Sequence, residues 1–172
     1  LADLIVTSSE TSKNLSVLLN TGDGNFGNAN DIPMPIGVNN VAIRDLDNDS
    51  DLDLAITNIV ENKVFVLEND GQGTFSTATT LTTSPGPTAI VLEDINSDGH
   101  ADIVTVNKPL SGQDSAVSVF VNNGTITDFA AAQTYPGANN PYSHSINITD
   151  INSDGHRDIL ITFKESNLVR IY

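Results

Sequence analysis

Apolar residues cluster in short runs of four to six, and no segment keeps a 3.6-residue apolar period long enough to make a helix. Val41–Arg44, Ala89–Leu92 and Ser145–Ile148 are short β-branched runs, each leading into an acidic segment. Leu54–Thr57, Ile103–Val106 and Ile159–Thr162 emerge from the same segments. Leu15–Leu19, Lys63–Leu67 and Ala116–Val121 follow after a further turn. A fourth, weaker strand is expected around Ala78–Leu81 or Ala130–Thr134. The pattern predicts an all-β chain.

The polar segments between these runs repeat. Asp45-Leu-Asp-Asn-Asp-Ser-Asp-Leu-Asp53, Asp94-Ile-Asn-Ser-Asp-Gly-His-Ala-Asp102 and Asp150-Ile-Asn-Ser-Asp-Gly-His-Arg-Asp158 start 49 and 56 residues apart. The chain opens with the same feature in progress, Asp3 matching Asp53 at a distance of 50 residues. A second block follows each pair of strands: Asn20-Thr-Gly-Asp-Gly-Asn-Phe26, Asn69-Asp-Gly-Gln-Gly-Thr-Phe75 and the looser Asn122–Phe129. Its Asn and Gly residues suit the positive φ angles of tight turns. Four strands per unit of roughly 50 residues is the arithmetic of a β-propeller blade. A β-sandwich has similar strand spacing but gives no reason for one loop to recur at one place. The expected architecture is four-stranded antiparallel blades, about three and a half of them, in a partial or open propeller. Residues 1–37 would form a partial blade, 38–84 and 85–138 complete ones, and 139–172 a second partial one.

Charge narrows the partners. The 172 residues include 22 acidic and 7 basic ones, a net charge of −15. That balance excludes a nucleic-acid binder, which needs Lys and Arg to displace counterions, and disfavours an anionic membrane surface. No apolar run approaches the roughly 18 residues that would insert in a membrane as a helix. The absence of cysteine removes disulfides, thiolate metal sites and cysteine nucleophiles.

The acidic loops carry the defined chemistry. In the second, Asp94, Asn96, Asp98 and Asp102 occupy positions 1, 3, 5 and 9, and the His100 carbonyl at position 7 adds an oxygen. Gly99 at position 6 permits the left-handed turn that wraps such a loop around an ion. The third loop repeats this with Asp150, Asn152, Asp154, the His156 carbonyl and Asp158. The first uses Asp45, Asp47, Asp49, the Asp51 carbonyl and Asp53, with Ser50 in place of the glycine. All-oxygen ligation with several carboxylates suits calcium, about three structural ions in all. An EF-hand would need a Glu at position 12, where Ile56, Thr105 and Ile161 stand, and helices where strands are expected. The plainer alternative is a set of acidic turns held by Asx-type hydrogen bonds. The loops hold 11 of the 22 acidic residues, and three divalent ions would move the net charge from −15 to −9. Asp3, a ninth position without the rest of its loop, is not expected to hold calcium alone.

The acidic loop between two strands, followed by Asn-x-Gly-x-Gly-x-Phe, resembles the FG-GAP/VCBS repeat of integrin-α-like β-propellers, over essentially the whole chain. The resemblance implies a calcium-binding propeller, usually seven-bladed, in a secreted or cell-surface protein. It implies a non-catalytic scaffold for adhesion or recognition of protein or glycan. Seven units would need twice this length. The chain is therefore expected either to be part of a longer propeller or to associate with copies of itself through open blade edges. No Gly-x-Ser-x-Gly elbow or open catalytic metal site points to an enzyme. Phe26, Phe75 and Phe129 are expected in inter-blade packing. Tyr135, Tyr142 and His144, in the longest connection, are candidate ligand contacts.

Overall fold

The two-residue period of a strand sends alternate side chains to opposite sides, so a sheet with neighbours on both sides must be apolar on both. The computed structural model of the chain describes residues 2–7, 14–108, 114–137, 143–163 and 168–172. Among these the regular elements are all β-strands. The first sheet holds β1 (Leu4–Thr7) and β2 (Asn14–Leu18). A small hairpin, β3 (Asn20–Gly22) with β4 (Asn25–Phe26), precedes its third strand, β5 (Asn30–Pro33). The second sheet is β6 (Val38–Arg44), β7 (Asp53–Asn58), β8 (Lys63–Asn69) and β9 (Phe75–Thr82), in that order. The third is β10 (Pro87–Glu93), β11 (Asp102–Asn107), β12 (Ala116–Phe120) and β13 (Gln133–Pro136). The fourth is β14 (Ser143–Thr149), β15 (Asp158–Phe163) and β16 (Leu168–Ile171). All pairings are antiparallel, and none of the sheets closes into a barrel. These are blades of an open propeller, two with four strands and two with three.

The strands lie where the apolar runs place them, except at the outer edge. In the third sheet the last strand is Gln133–Pro136, not Ala130–Thr134. Its place is set by pairing of Val117 with Tyr135 and Val119 with Gln133. Every residue of that strand is exposed, so no burial period marks it.

The sheets stack face to face through three apolar layers. Leu54 and Ile56 of β7, with Phe65 and Leu67 of β8, pack on Leu15 and Ile5 of the first sheet. Ala55 of β7, with Val64 and Val66 of β8, turns the other way and meets Ile90, Leu92, Ile103 and Phe120 of the third sheet. Val104, Val106, Val117 and Val119 then meet Ile146, Ile148, Ile159 and Ile161 of the fourth. Each sheet thus has a leading face toward its predecessor and a trailing face toward its successor. Fully burying one Val or Leu contributes about 1.5–3 kcal/mol, so these layers dominate stability. Phe75 and Phe129 join the layers in front of their own sheets, whereas Phe26 is 43% exposed.

The first strands of successive sheets, β6, β10 and β14, lie against one another. At their loop ends Glu93 receives Arg44 of the second sheet at 2.7 Å and Arg157 of the fourth-sheet loop at 3.7 Å. Both arginine side chains are more than 40% exposed. Such pairs are worth about 0–1 kcal/mol each, little beside the apolar layers.

Candidate metal loops

Each acidic segment joins the first strand of a sheet to the second, so the three loops sit side by side at one end of the stack. Their internal hydrogen bonds show how the chain shapes them. In the second loop Asp94 accepts the N–H of Asp98 on Oδ1 and that of Gly99 on Oδ2, at 3.1 and 2.9 Å. Asn96 Oδ1 also accepts Asp98 N–H, and Asp98 Oδ1 accepts His100 N–H. The third loop reproduces the set with Asp150, Gly155, Asn152, Asp154 and His156, each distance agreeing within 0.1 Å. The first differs in one respect. Asp45 Oδ1 accepts the N–H of Asn48 at 2.7 Å, while its Oδ2 accepts that of Ser50 at 3.0 Å.

Two residues of every loop are left-handed. Position 6 has φ of 79° at Ser50, 92° at Gly99 and 90° at Gly155. Position 4 has φ of 65° at Asn48 and 62° at Ser97 and Ser153. A Cβ at Gly99 or Gly155 would touch nothing within 4 Å, so any cost there is backbone strain alone. That strain is about 1–2 kcal/mol for a non-glycine residue. Ser50→Gly is therefore expected to stabilise the chain by about 1 kcal/mol, and Gly99→Ser to destabilise it by as much. Denaturant midpoints at unchanged m-value read both.

In the first loop, carboxylate oxygens of Asp45, Asp47 and Asp49 lie within 4.8 Å of one another. The other two loops have Asn96 and Asn152 at the middle position, with their amide Nδ2 donating to Asp98 and Asp154 at 2.7 and 2.9 Å. Positions 3 and 5 are thus bonded to each other in the second and third loops. Burial, then the charges of Asp49 and Asp45, push the Asp47 carboxyl up, despite the N–H of Asp49 that opposes them. Asp98 and Asp154 are held down, first by the N–H of His100 and of His156. The donor set is oxygen throughout and rich in carboxylate, and it fits a hard divalent cation.

Position 9 does more than close the loop. Asp53 accepts Leu46 N–H on Oδ2 and Asn69 N–H on Oδ1, at 2.9 and 3.0 Å. Asp102 does the same with Ile95 and Asn122. Asp158 takes Ile151 N–H, and Asp3 takes Asn20 N–H. Both Asp53 and Asp102 are buried, and burial raises their pKa above the ordinary value while the bound N–H groups oppose the rise. With a folded pKa above the unfolded one, each contributes most stability in acid and loses it as pH rises through the folded value. Asp98 and Asp154 have the opposite sign, contributing above the unfolded pKa and losing it in acid.

The partner of position 9 is the asparagine that opens the second repeated block. Asn69 Nδ2 donates to Leu52 O, and its Oδ1 accepts Gly71 and Gly73 N–H. Asn20 repeats this with Ala2 O and Gly22 N–H. Fully buried Asn122 reaches further. Its Nδ2 donates to Ala101 O and, at 2.7 Å, to Leu46 O of the preceding loop. The sequence shows the recurrence of this asparagine and suggests a turn-forming role; the structure adds the bonds that bind the turn to the acidic loops.

His100 is placed by its side chain as well as its carbonyl. Asn48 Nδ2 donates to His100 Nδ1 at 3.0 Å, tying the first loop to the second. The ring lies over Gly124, where a Cβ would come within 3.1 Å of it and where φ is 97°. His156 and Arg157 are exposed.

The candidate ligand contacts lie elsewhere. The Tyr135 hydroxyl donates to Gln133, and its ring stands 6.3 Å from that of Tyr172, over which Arg170 sits at 5.6 Å. Tyr135 and Tyr172 border a cleft of about 230 Å³ between the third and fourth sheets, with Ile95, Val119 and Arg157. Tyr142 and the His144 side chain lie outside the described residues. Tyr135 is thus brought to a cleft wall, remote in sequence from the acidic loops.

No curated protein matches the chain. The FG-GAP-like repeat matches residues 1–56 and again 45–105. Both matches end at one point of the unit, two residues into the strand beyond position 10, at Ile56 and Thr105. Each carries an acidic loop, the strand after it and the Asn-Gly block between, which are the features the geometry ties together. With more than half its length matched in this way, the chain belongs to the FG-GAP-like repeat family.

Proposed function

We propose that the chain is a calcium-stabilised, non-catalytic scaffold of an extracellular or cell-surface protein, presenting a rigid blade stack for recognition of a protein or glycan. The observation that carries this reading is the near-identity of the second and third loops, bond for bond, at equivalent places in successive sheets. Asp94, Asn96, Asp98, the His100 carbonyl and Asp102 would hold one ion. Asp150, Asn152, Asp154, the His156 carbonyl and Asp158 would hold another. Asp45, Asp47, Asp49, the Asp51 carbonyl and Asp53 would hold the third. A bound cation supplies charge neutralisation and fixes each turn between its two strands. The protein supplies convergence, through N–H groups that aim each carboxylate before the ion arrives.

Recognition is tested by probing immobilised chain against glycan and extracellular-matrix protein arrays, with calcium and with chelator. The reading expects binding in calcium that is lost on chelation. Binding indifferent to chelator, or turnover of a bound compound, would contradict it.

A further inference from the structure

Asp45 opens the first loop with a bond that the other two loops do not make. Its Oδ1 accepts the N–H of Asn48, at position 4, where Asp94 and Asp150 accept the N–H of position 5. Asn48 is also the residue whose side chain leaves its loop. Its Nδ2 lies 3.0 Å from His100 Nδ1 and 3.4 Å from Gly99 O, both in the second loop. Position 4 of the second and third loops is Ser97 and Ser153, with the same left-handed backbone and no amide to reach with.

Both ends of this bridge meet candidate ligands. On one side the Asn48 N–H aims the Asp45 carboxylate. On the other, His100 offers its carbonyl to the second site, and Asp98 Oδ1 accepts its N–H at 2.9 Å. The bonds therefore run from Asp45 through Asn48 and His100 to Asp98, position 1 of one loop to position 5 of the next. The His100 ring is backed by Gly124, where a Cβ would come within 3.1 Å of it. Buried Asn122 fixes the frame, since its Nδ2 donates to Leu46 O of the first loop while its N–H goes to Asp102 of the second. The two loops differ in what order costs them. The first carries five carboxylates and a left-handed serine, Ser50, where the second carries three and has Gly99. Strain and like charge make the first the harder of the two to hold in shape.

We propose that calcium binding at the first and second loops is coupled through Asn48, a positioning residue, so that occupancy of either site tightens the other. This rests on the calcium reading of the loops given above. An ordered second loop presents a fixed His100 ring, and Asn48 bonded to that ring holds the turn that aims Asp45. Such coupling is reciprocal, and a single exposed hydrogen bond places it at the low end of the usual range, about fivefold. The third loop, whose Arg157 reaches Glu93 but no residue of the first loop among the described contacts, is the reference.

Hydrogen exchange read by NMR against free calcium follows each loop by its own amide, Ser50 N–H for the first and Gly99 N–H for the second. Asp94→Asn should move the first-loop midpoint to about fivefold higher calcium, and Asp45→Asn should move the second-loop midpoint by the same factor. Asp150→Asn should move neither. Asn48→Ser places at position 4 the residue that the other two loops carry there. In that background Asp94→Asn should shift the first loop by less than about twofold. An Asn48 that merely shaped its own loop would weaken the first site and leave these shifts unchanged. Midpoints that ignore the neighbouring loop, or shifts that survive Asn48→Ser, would overturn the coupling and leave the calcium sites standing. Protection indifferent to calcium in every loop would overturn the calcium reading and the coupling together. Should Asp94→Asn fail to melt cooperatively, Asp98→Asn repeats the test from the same loop.

Discussion

Replacing Asn122 by alanine lowers the stability of the chain by about 3 kcal/mol, more than any other exchange of a single polar side chain in the loop region. The backbone N–H of residue 122 still reaches Asp102 in this variant, so position 9 is not disturbed. What is lost is the amide. Leu46 O and Ala101 O lose their buried donor, and Gly124 N–H loses its acceptor. Each buried polar group left unpaired costs about 1–3 kcal/mol, whereas forming an ordinary hydrogen bond returns only about 1 kcal/mol. Two buried carbonyls therefore set the scale. Asn69→Ala, at a half-buried site within one sheet, should cost less than half as much. Asn123→Ala, next door but exposed and bonded only to Asp128 among described contacts, should stay within about 0.5 kcal/mol. Urea unfolding of the three variants checks the order. Equal losses at positions 122 and 123 would remove the interlock from the account.

Chelating calcium lowers the melting temperature by a larger amount. An ion that binds the folded state alone stabilises it by RT ln(1 + [L]/Kd), about 2.7 kcal/mol for each site held at a hundredfold excess over its dissociation constant. Three such sites contribute about 8 kcal/mol. At roughly 2–4 °C per kcal/mol for a chain of this size, the melting temperature falls by roughly 15–30 °C. The loops give the loss a definite order. Without the ion, the first loop carries five carboxylates within nine residues and the other two carry three each. The oxygens of Asp45, Asp47 and Asp49 then repel one another inside 4.8 Å. Hydrogen exchange in chelator should rise first at the N–H groups of Asp98, Gly99, Asp154 and Gly155, while the strand amides of β7 and β11 stay protected until the chain melts. Magnesium should restore less, because it demands a tighter octahedral shell than these loops offer.

Much of this was legible in the sequence, for a physical reason. The inner strands are covered on both faces, so Asp53–Asn58 and Asp102–Asn107 are buried at every residue, and the apolar stretches at their centres stand out between polar turns. The acidic loops stand out because the same spacing of Asp and Asn returns three times. The outermost strand lacks both signals: Gln133–Pro136 is exposed throughout, and only its register with β12 fixes its bounds. Left-handed backbone at Ser97 and Ser153 was hidden because serine, unlike glycine or asparagine, does not announce it. The structural use of position 9 was hidden too. A carboxylate that holds the N–H of Leu46 and Asn69 looks, in sequence, the same as one that holds an ion. The reach of Asn122 to Leu46, 76 residues away, belongs to the stacking of sheets and has no local trace.

The central claim, that the acidic loops are calcium sites, is tested most directly by isothermal titration of the chelator-stripped chain with calcium, alongside variants carrying Asp45→Ala, Asp94→Ala or Asp150→Ala. The account predicts about three equivalents of heat in the parent chain and one equivalent fewer in each variant, with no variant abolishing the other two sites. Absence of binding heat, with a melting temperature unmoved by chelator, would contradict it and leave the loops as hydrogen-bonded acidic turns.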